Sequence, residues 1–444
     1  MVKRLFHLLT VAFIVSTFAF LSCKKDNVSV IAITENPEAN IFVTEGSITD
    51  SISVEASVTE GATLSYQWYS TDALTNVSGG VAIASAISDI FIIPDTLTVG
   101  NYYYYCKISA TGGAVSVFSR VVNLTVTDGS PTYPFFIGSE EALRKAGTGV
   151  DGWTLDKHYR QTVNIDLDTT EWIPIGTDEN RFTGSYDGRG YSISGINIPS
   201  ATDDFQGMFG YVGTGGSLRN MALKNVSINV STNSVGGVAG YNSGIIENCY
   251  VTGVVTGGES VGGIAGYNGG EIRNCYTTCN ITGSGFSVGG IAGLNSVGRN
   301  IANCYTTGII SGTDRTGGIV GHNYGTVDRC VALNKEISAA NATDRIGRVV
   351  GYNEDGGLTS NFARADGMTL KFDDNEVDPE EITLTGKDGA NVTAEYTHGS
   401  KSLEWWSIGR DTNLWSFANN RLPWLQTTVK GDKFSETQNP KVQE

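Results

Sequence analysis

Proline is scarce in this chain, at 9 of 444 residues, while glycine reaches 56. Glycine at about twice the ordinary ~7%, without proline and without a third-residue period, excludes a collagen-type helix. It predicts many tight corners between strands. Basic residues are short as well: 30 Lys and Arg stand against 46 Asp and Glu, a formal charge of −16. Phosphate binding needs a basic face, so no nucleic-acid partner is expected. The 4 histidines are His7, His158, His322 and His398, and none is followed by Glu. The His-Glu-x-x-His arrangement of zinc proteases is therefore missing. No Cys-x-x-Cys pair or His/Cys cluster exists, which argues against zinc. A Gly-x-Ser-x-Gly elbow with a His partner is also lacking. Helical periodicity is too thin for leucine-rich or tetratricopeptide repeats. What remains is 40% apolar residues, enough for a sizeable core, in a chain too long for one ordinary domain.

Only one stretch is apolar for long. Lys3 and Arg4 precede a run from Leu5 to Leu21, which ends at Phe20-Leu21-Ser22-Cys23. A basic start, a short apolar centre and a small residue before the break describe an export signal over residues 1–22. The run is under the ~20 residues of a spanning helix. The segment resembles the lipobox of bacterial lipoproteins, which implies that Cys23 becomes the acylated N-terminus and holds the protein to a membrane. Lys24-Lys25-Asp26 resembles the export tag of surface lipoproteins in Bacteroides-type bacteria, implying an outer-membrane, surface-exposed location. Residues 23–29 read as a linker.

From 30 to 127 the chain alternates short β-rich runs with turns. Ile52 to Val58 alternates between two faces. Leu64-Ser65-Tyr66-Gln67-Trp68-Tyr69, Tyr102 to Cys106 and Val121 to Val126 follow. A central Trp68, and Tyr104 two residues before Cys106, fit a β-sandwich. This stretch resembles bacterial Ig-like domains. The usual first cysteine falls at Ala56, so no inter-sheet disulfide is expected. The module reads as a spacer rather than a binder.

The strongest signal is repetition. Gly236-Gly237-Val238-Ala239-Gly240-Tyr241-Asn242 recurs at Gly262–Asn268, Gly289–Asn295 and Gly317–Asn323, and in worn form at Gly347–Asn353. Ile246-Glu247-Asn248-Cys249-Tyr250 recurs at Ile272–Tyr276 and Ile301–Tyr305, with Val327–Val331 as a worn copy. A period of roughly 26–30 residues means a solenoid, each turn burying what its neighbour cannot bury alone. Each unit reads as two or three short strands in a parallel β-solenoid. Five or six rungs would span about 25–30 Å.

In such a stack like residues align. Asn242, Asn268, Asn295, Asn323 and Asn353 are expected to form an amide ladder at a bend. Cys249, Cys275, Cys304 and Cys330 are expected to point inward. Neighbouring Cβ atoms near ~4.8 Å apart exceed the ~3.5–4.5 Å that disulfides want, so these residues should stay thiols. Cys106 and Cys279 read as small buried side chains.

These motifs resemble the GLUG repeat of bacterial surface proteins, over roughly 135–425. The resemblance implies a surface or adhesion role. Its lead-in includes Ile165-Asp166-Leu167-Asp168 and Phe182 to Ile193, and a short capping helix is expected over 139–146 with Ser139 as N-cap. The solenoid with its lead-in is placed at 134–365, a C-terminal cap region at 366–428 and a disordered tail at 429–444.

Candidates for chemistry are few. Asp166, Asp168 and Asp187 could serve a glycan-cleaving β-helix, but turn roles suit them better. Asp373 to Glu381 holds six acids in nine residues. Such a run could bind Ca²⁺ through flexible oxygen ligands, though a solvated acidic loop suits it better. Trp405, Trp406, Trp415 and Trp424 could offer a sugar-stacking platform, or plug the open end of the solenoid. The expectation is an all-β, non-enzymatic, lipid-anchored surface protein without cofactors, serving adhesion or ligand binding to an extracellular protein or glycan. The alternatives are a carbohydrate-binding component of a glycan-capture system and a β-helix glycan-cleaving enzyme.

Overall fold

The computed structural model describes residues 28–75, 79–341, 345–397, 399–407, 415–417 and 422–425. The export signal, Cys23, His398 and the tail lie outside the described residues. Contacts divide the chain into two units. The first comprises residues up to 41, 49–93 and 102–124, and the second 42–48, 94–101 and everything from 125 onward.

The first unit is antiparallel. Leu64–Thr71 runs against Gly100–Ala110, from the pair Leu64 and Ala110 to the pair Thr71 and Tyr103. Ile31–Glu35 pairs Glu55–Val58, and Ser51–Ser53 pairs Ile90–Ile92. Period-2 alternation sorts the side chains: Phe91 is buried between the exposed Ile90 and Ile92. Trp68 is fully buried beside Phe91 at 5.8 Å, and its Nε1 donates to Ser88 O at 2.9 Å. Burial also raises the Tyr104 phenol to about 12. These sheets fit a β-sandwich.

The second unit is a parallel β-solenoid. One turn shows the plan: Val235–Gly236, Ala239–Asn242, Ile245–Glu247 and Tyr250–Gly257 follow one another, and Val261–Gly262 then pairs in parallel with Val235–Gly236. Each motif-bearing turn thus contributes to four sheets, where two or three strands per unit were expected. The fourth face exists because Val235-Gly236 and Ala239–Asn242, one motif in the sequence, bend apart at Gly237-Val238. The rung number also exceeds the expected five or six. One face is a nine-stranded sheet, about 38 Å long at ~4.8 Å per step. Its first strands, Phe135–Ile137, His158–Gln161 and Ser185–Asp187, carry none of the repeat motif yet continue its register. Pairing needs only a matching backbone and an inward apolar residue, here Tyr159 and Tyr186, so the rungs outnumber the motif copies.

One continuous core fills the interior. Ile246, Ile272, Ile301 and Val327 stack at 0% exposure, and Val238, Ile264, Ile291 and Ile319 do the same on another wall. At the first rung, the helix Glu140–Lys145 buries Leu143, and Ser139 Oγ accepts from Ala142 N at 3.1 Å. Glycine is obligatory where rungs abut: a Cβ on Gly266 would lie 2.3 Å from the Ser234 carbonyl carbon. Other corners use a left-handed backbone, and Asn supplies it. Asn220, Asn248, Asn274 and Asn303 have φ of 54°, 56°, 54° and 55°.

Candidate functional site

Five columns of aligned side chains run along the solenoid. The first is made of amides. Asn242 Nδ2 donates to Asn268 Oδ1 at 2.9 Å, Asn268 to Asn295 at 2.8 Å, Asn295 to Asn323 at 2.8 Å and Asn323 to Asn353 at 2.7 Å. Each amide also serves its own bend, as Gly244 N donates to Asn242 Oδ1 at 3.0 Å and Asn323 Nδ2 to Gly325 O at 3.2 Å. Asn268, Asn295 and Asn323 are fully buried. A second amide column escaped the sequence reading. Asn248 Nδ2 donates to Asn220 Oδ1 at 3.1 Å and Asn274 Nδ2 to Asn248 Oδ1 at 3.3 Å. Its signal is present in the repeat, since Asn precedes Cys249, Cys275 and Cys304.

Cys249, Cys275, Cys304 and Cys330 point inward at 0% exposure and are free thiols, as are the buried Cys106 and Cys279. Burial pushes the Cys275 and Cys304 thiols well above their ordinary value and Cys106 up to about 11. Reactive cysteines are exposed; these are buried.

The fourth column lies on the outer wall, with Tyr211 and His322 buried within it. Tyr211, Tyr241, Tyr267, Leu294, His322 and Tyr352 occupy one register position on successive strands. Tyr211 and Tyr241 stack at 4.4 Å and 9°, and Tyr241 and Tyr267 at 4.5 Å and 8°. Tyr241, Tyr267, Leu294 and Tyr352 are half-buried. Arg181 lies over the free face of Tyr211 at 4.2 Å, and Phe205 meets Tyr211 and Tyr241 edge-on. Beside this end, Ile173, Asp178, Asp203, Asp204 and Phe205 line a cleft of about 630 Å³. The sequence marks this ridge only by the residue preceding each ladder asparagine.

The tryptophans lie elsewhere than expected. Tyr250, Tyr276 and Tyr305 stack at 4.9 Å on a different face, with 2% exposure or less. The segment after residue 392 covers them: Trp406 lies 5.7 Å from Tyr305, Trp415 6.2 Å from Tyr276, and Tyr305 Oη donates to Pro423 O at 2.7 Å. Trp406 and Trp415, each 1% exposed, therefore have no face to offer a sugar. They cover a flank of the rod, packed against Tyr276 and Tyr305, instead of plugging its end. Trp405 falls in the helix Ser402–Ser407 and Trp424 in the strand Trp424–Leu425.

The carboxylates considered for chemistry are tied into bends. Asp187 Oδ1 accepts from Arg189 N at 3.0 Å and from Asn220 Nδ2 at 2.9 Å. Asp168 Oδ1 accepts from Thr170 N at 2.7 Å, and hydrogen bonding from the Thr170 side chain and then its backbone holds the carboxyl below the usual range. Asp166 pairs in register with Ser194 at the surface. In the acidic loop, Glu380 N and Glu381 N donate to the buried Asp388. Among the described residues, no group of three or more His, Cys, Asp or Glu could hold a metal ion, and no helix is long and apolar enough to cross a membrane.

Comparison with known proteins fits this architecture. A stretch of 166 residues, 34% of this chain, is 35% identical to halomucin of Haloquadratum walsbyi and spans 2% of that protein. A stretch of 102 residues, 21% of this chain, is 33% identical to a provisionally named Gly-rich membrane protein of Evansella cellulosilytica and spans 12% of it. A crystal structure from Bacteroides ovatus, provisionally named an immunoglobulin A1 protease, superposes with a TM-score of 0.53 and 22% identity over 68% of this chain and 95% of that one. At that identity the likeness is one of fold. Residues 231–256 and 257–282 match the GLUG motif, and the chain carries that motif on a parallel β-solenoid.

Proposed function

We propose that this protein is a non-enzymatic, lipid-anchored surface protein whose solenoid binds an extracellular protein or glycan through the ridge from Tyr211 to Tyr352. Anchoring rests on the lipobox-like segment ending at Cys23, and the Lys24-Lys25-Asp26 stretch after it suggests the bacterial outer membrane. The antiparallel unit serves as an Ig-like spacer. The observation that carries the reading is the contrast between the two tyrosine stacks. Tyr250, Tyr276 and Tyr305 are covered by the chain's own C-terminal segment, whereas Tyr241 and Tyr267 stay half-open on a rigid wall beside the acidic cleft. Aromatic side chains left accessible on a preorganised surface are a common basis of recognition. The name of the Gly-rich membrane protein of Evansella cellulosilytica supports export.

The stacking geometry favours a protein partner over simple glycan binding. Rings 4.4–4.5 Å apart use their faces on one another, leaving edges and hydroxyls outward, whereas sugars seek open ring faces. The non-enzymatic reading is supported by the bend roles of Asp168 and Asp187 and by the inward thiols.

A glycan and matrix-protein array probed with the mature protein tests this reading. Binding to a protein ligand that is lost in the Tyr241→Ser/Tyr267→Ser variant is the expected result. Binding to glycans alone would move the assignment to glycan capture, and turnover of any arrayed polysaccharide or protein would overturn the non-enzymatic reading.

A further inference from the structure

The outer ridge changes composition at its last rungs, and the changes meet in space. Other copies of the rung provide the comparison. At the corner before the ridge strand stand Ser234, Ser260 and Ser287, then Arg315 and Arg345. In the column stand Tyr241, Tyr267 and Leu294, then His322 and Tyr352. After the ladder asparagine stand Ser243, Gly269 and Ser296, then Tyr324 and Glu354. The earlier rungs stack without the charged set, so stacking alone does not call for it.

Those residues form a chain of contacts. Arg315 Nη1 lies 3.2 Å from His322 Nδ1, and His322 Nε2 lies 3.0 Å from Glu354 Oε2. A guanidinium only donates. Nδ1 must therefore be the bare, accepting nitrogen, and the single ring proton sits on Nε2, donated to Glu354. This geometry requires a neutral imidazole. The ring is 1% exposed, so a second proton on Nδ1 would find no water and would point at an N–H of Arg315. Around the ring, Arg315 and Tyr324 come from its own rung, the Tyr324 centroid 4.2 Å from that of His322. Tyr352, Arg345 and Glu354 come from the next rung, and Asp314 holds Arg345 at 3.0 Å. The preceding rung offers the uncharged Leu294.

We propose that the Arg315–His322–Glu354 chain is a proton-operated latch on the outer ridge: neutral His322 ties the last two rungs together, and acidification releases Arg315 and loosens them. Its use in regulating a partner rests on the binding role given to the ridge, but its existence does not. Burial, opposed by Glu354 and reinforced by Arg315, lowers the proton affinity of His322 below the ordinary imidazole value. The opened form thus takes up the proton first. The stabilisation is complete above about pH 6.5 and is lost as pH falls below it.

Hydrogen exchange on the whole protein at pH 7.5 and 5.0, corrected for intrinsic rates, tests the latch. Segments 315–324 and 346–357 should exchange roughly tenfold faster at the lower pH, with 236–268 unchanged. His322→Tyr restores the residue of neighbouring rungs and should abolish the response; His322→Leu, which copies Leu294 of the preceding rung, serves if the tyrosine variant folds poorly. Unchanged wild-type exchange, or the same acid response in both variants, would overturn the proposal. Loss of ridge binding on the array would leave this result untouched, so the two readings fail separately.

Discussion

Asn268 Nδ2 donates to Asn295 Oδ1 across 2.8 Å while Asn268 Oδ1 accepts from Asn242, so one buried amide joins three rungs. Removing it strands a donor on one side and an acceptor on the other, and buried unsatisfied groups cost about 1–3 kcal/mol each. Asn268→Ala should therefore destabilise the solenoid by roughly 3 kcal/mol. Asn353→Ala removes the half-buried end of the column and should cost about 1 kcal/mol. Chemical denaturation of the two variants checks the contrast, and equal losses would mean that the column does not act as a ladder.

Gly266 supports a sharper comparison. A methyl there would lie 2.3 Å from backbone atoms of Ser234 and Val235, whereas on Gly357 it would meet only Thr326, whose Oγ1 is nearest at 3.5 Å. Gly266→Ala must push neighbouring rungs apart, at a cost of about 3 kcal/mol or more. Gly357→Ala should change stability by less than about 0.5 kcal/mol. Thermal melts of both variants decide the matter.

These two residues also show how far the sequence can be read. The recurrence of Asn and Gly every 26–30 positions reveals a stacked parallel solenoid, because only stacking gives a bend residue an identical neighbour. The lead-in around Tyr159 and Tyr186 is recognisable as part of the domain, but its rungs cannot be counted, since they pair through a backbone that no motif marks. The use of the tyrosines is hidden. Tyr241 and Tyr250 both recur with the repeat, yet one stays half-open and the other is covered from more than 150 residues away by Trp406 and Trp415. Periodicity reports neighbours along the stack and says nothing of a distant segment folding back.

The thiol column predicts chemical silence. Cys275 and Cys304 are fully buried, with affinities for their protons raised well above 9.0. A thiol reagent should react with none of the six described cysteines in the native protein and with all of them after denaturation. The sign of the pH dependence follows: above about pH 9 the unfolded chain releases these protons and the native state does not, so stability should fall as pH rises. Denaturation midpoints at pH 8 and 10 measure this. A rise in stability with pH would contradict burial of the thiols.

Trp406 and Trp415 cover the stack of Tyr250, Tyr276 and Tyr305, and truncating large buried aromatics costs about 3–5 kcal/mol each. The Trp406→Ala/Trp415→Ala variant should expose these tyrosines, seen as increased binding of a hydrophobic dye. The core of the solenoid lies on the other side of the wall, so its far-ultraviolet strand signal should persist. Complete unfolding of the variant would show instead that the covering segment is needed for the solenoid itself.

The stacked rod depends on equivalent residues standing one rung apart. Arg219 and Thr359 are exposed positions on the same face, linked through Glu247, Arg273, Ala302 and Asp328 by successive parallel pairings. Spin labels at these two positions, in a form carrying Cys23→Ser, give the distance by pulsed electron resonance. Five steps of ~4.8 Å place the labels near 24 Å apart, within the reach of their linkers. A narrow distribution there is the expected result, and a broad one centred beyond about 40 Å would contradict the stacked rod.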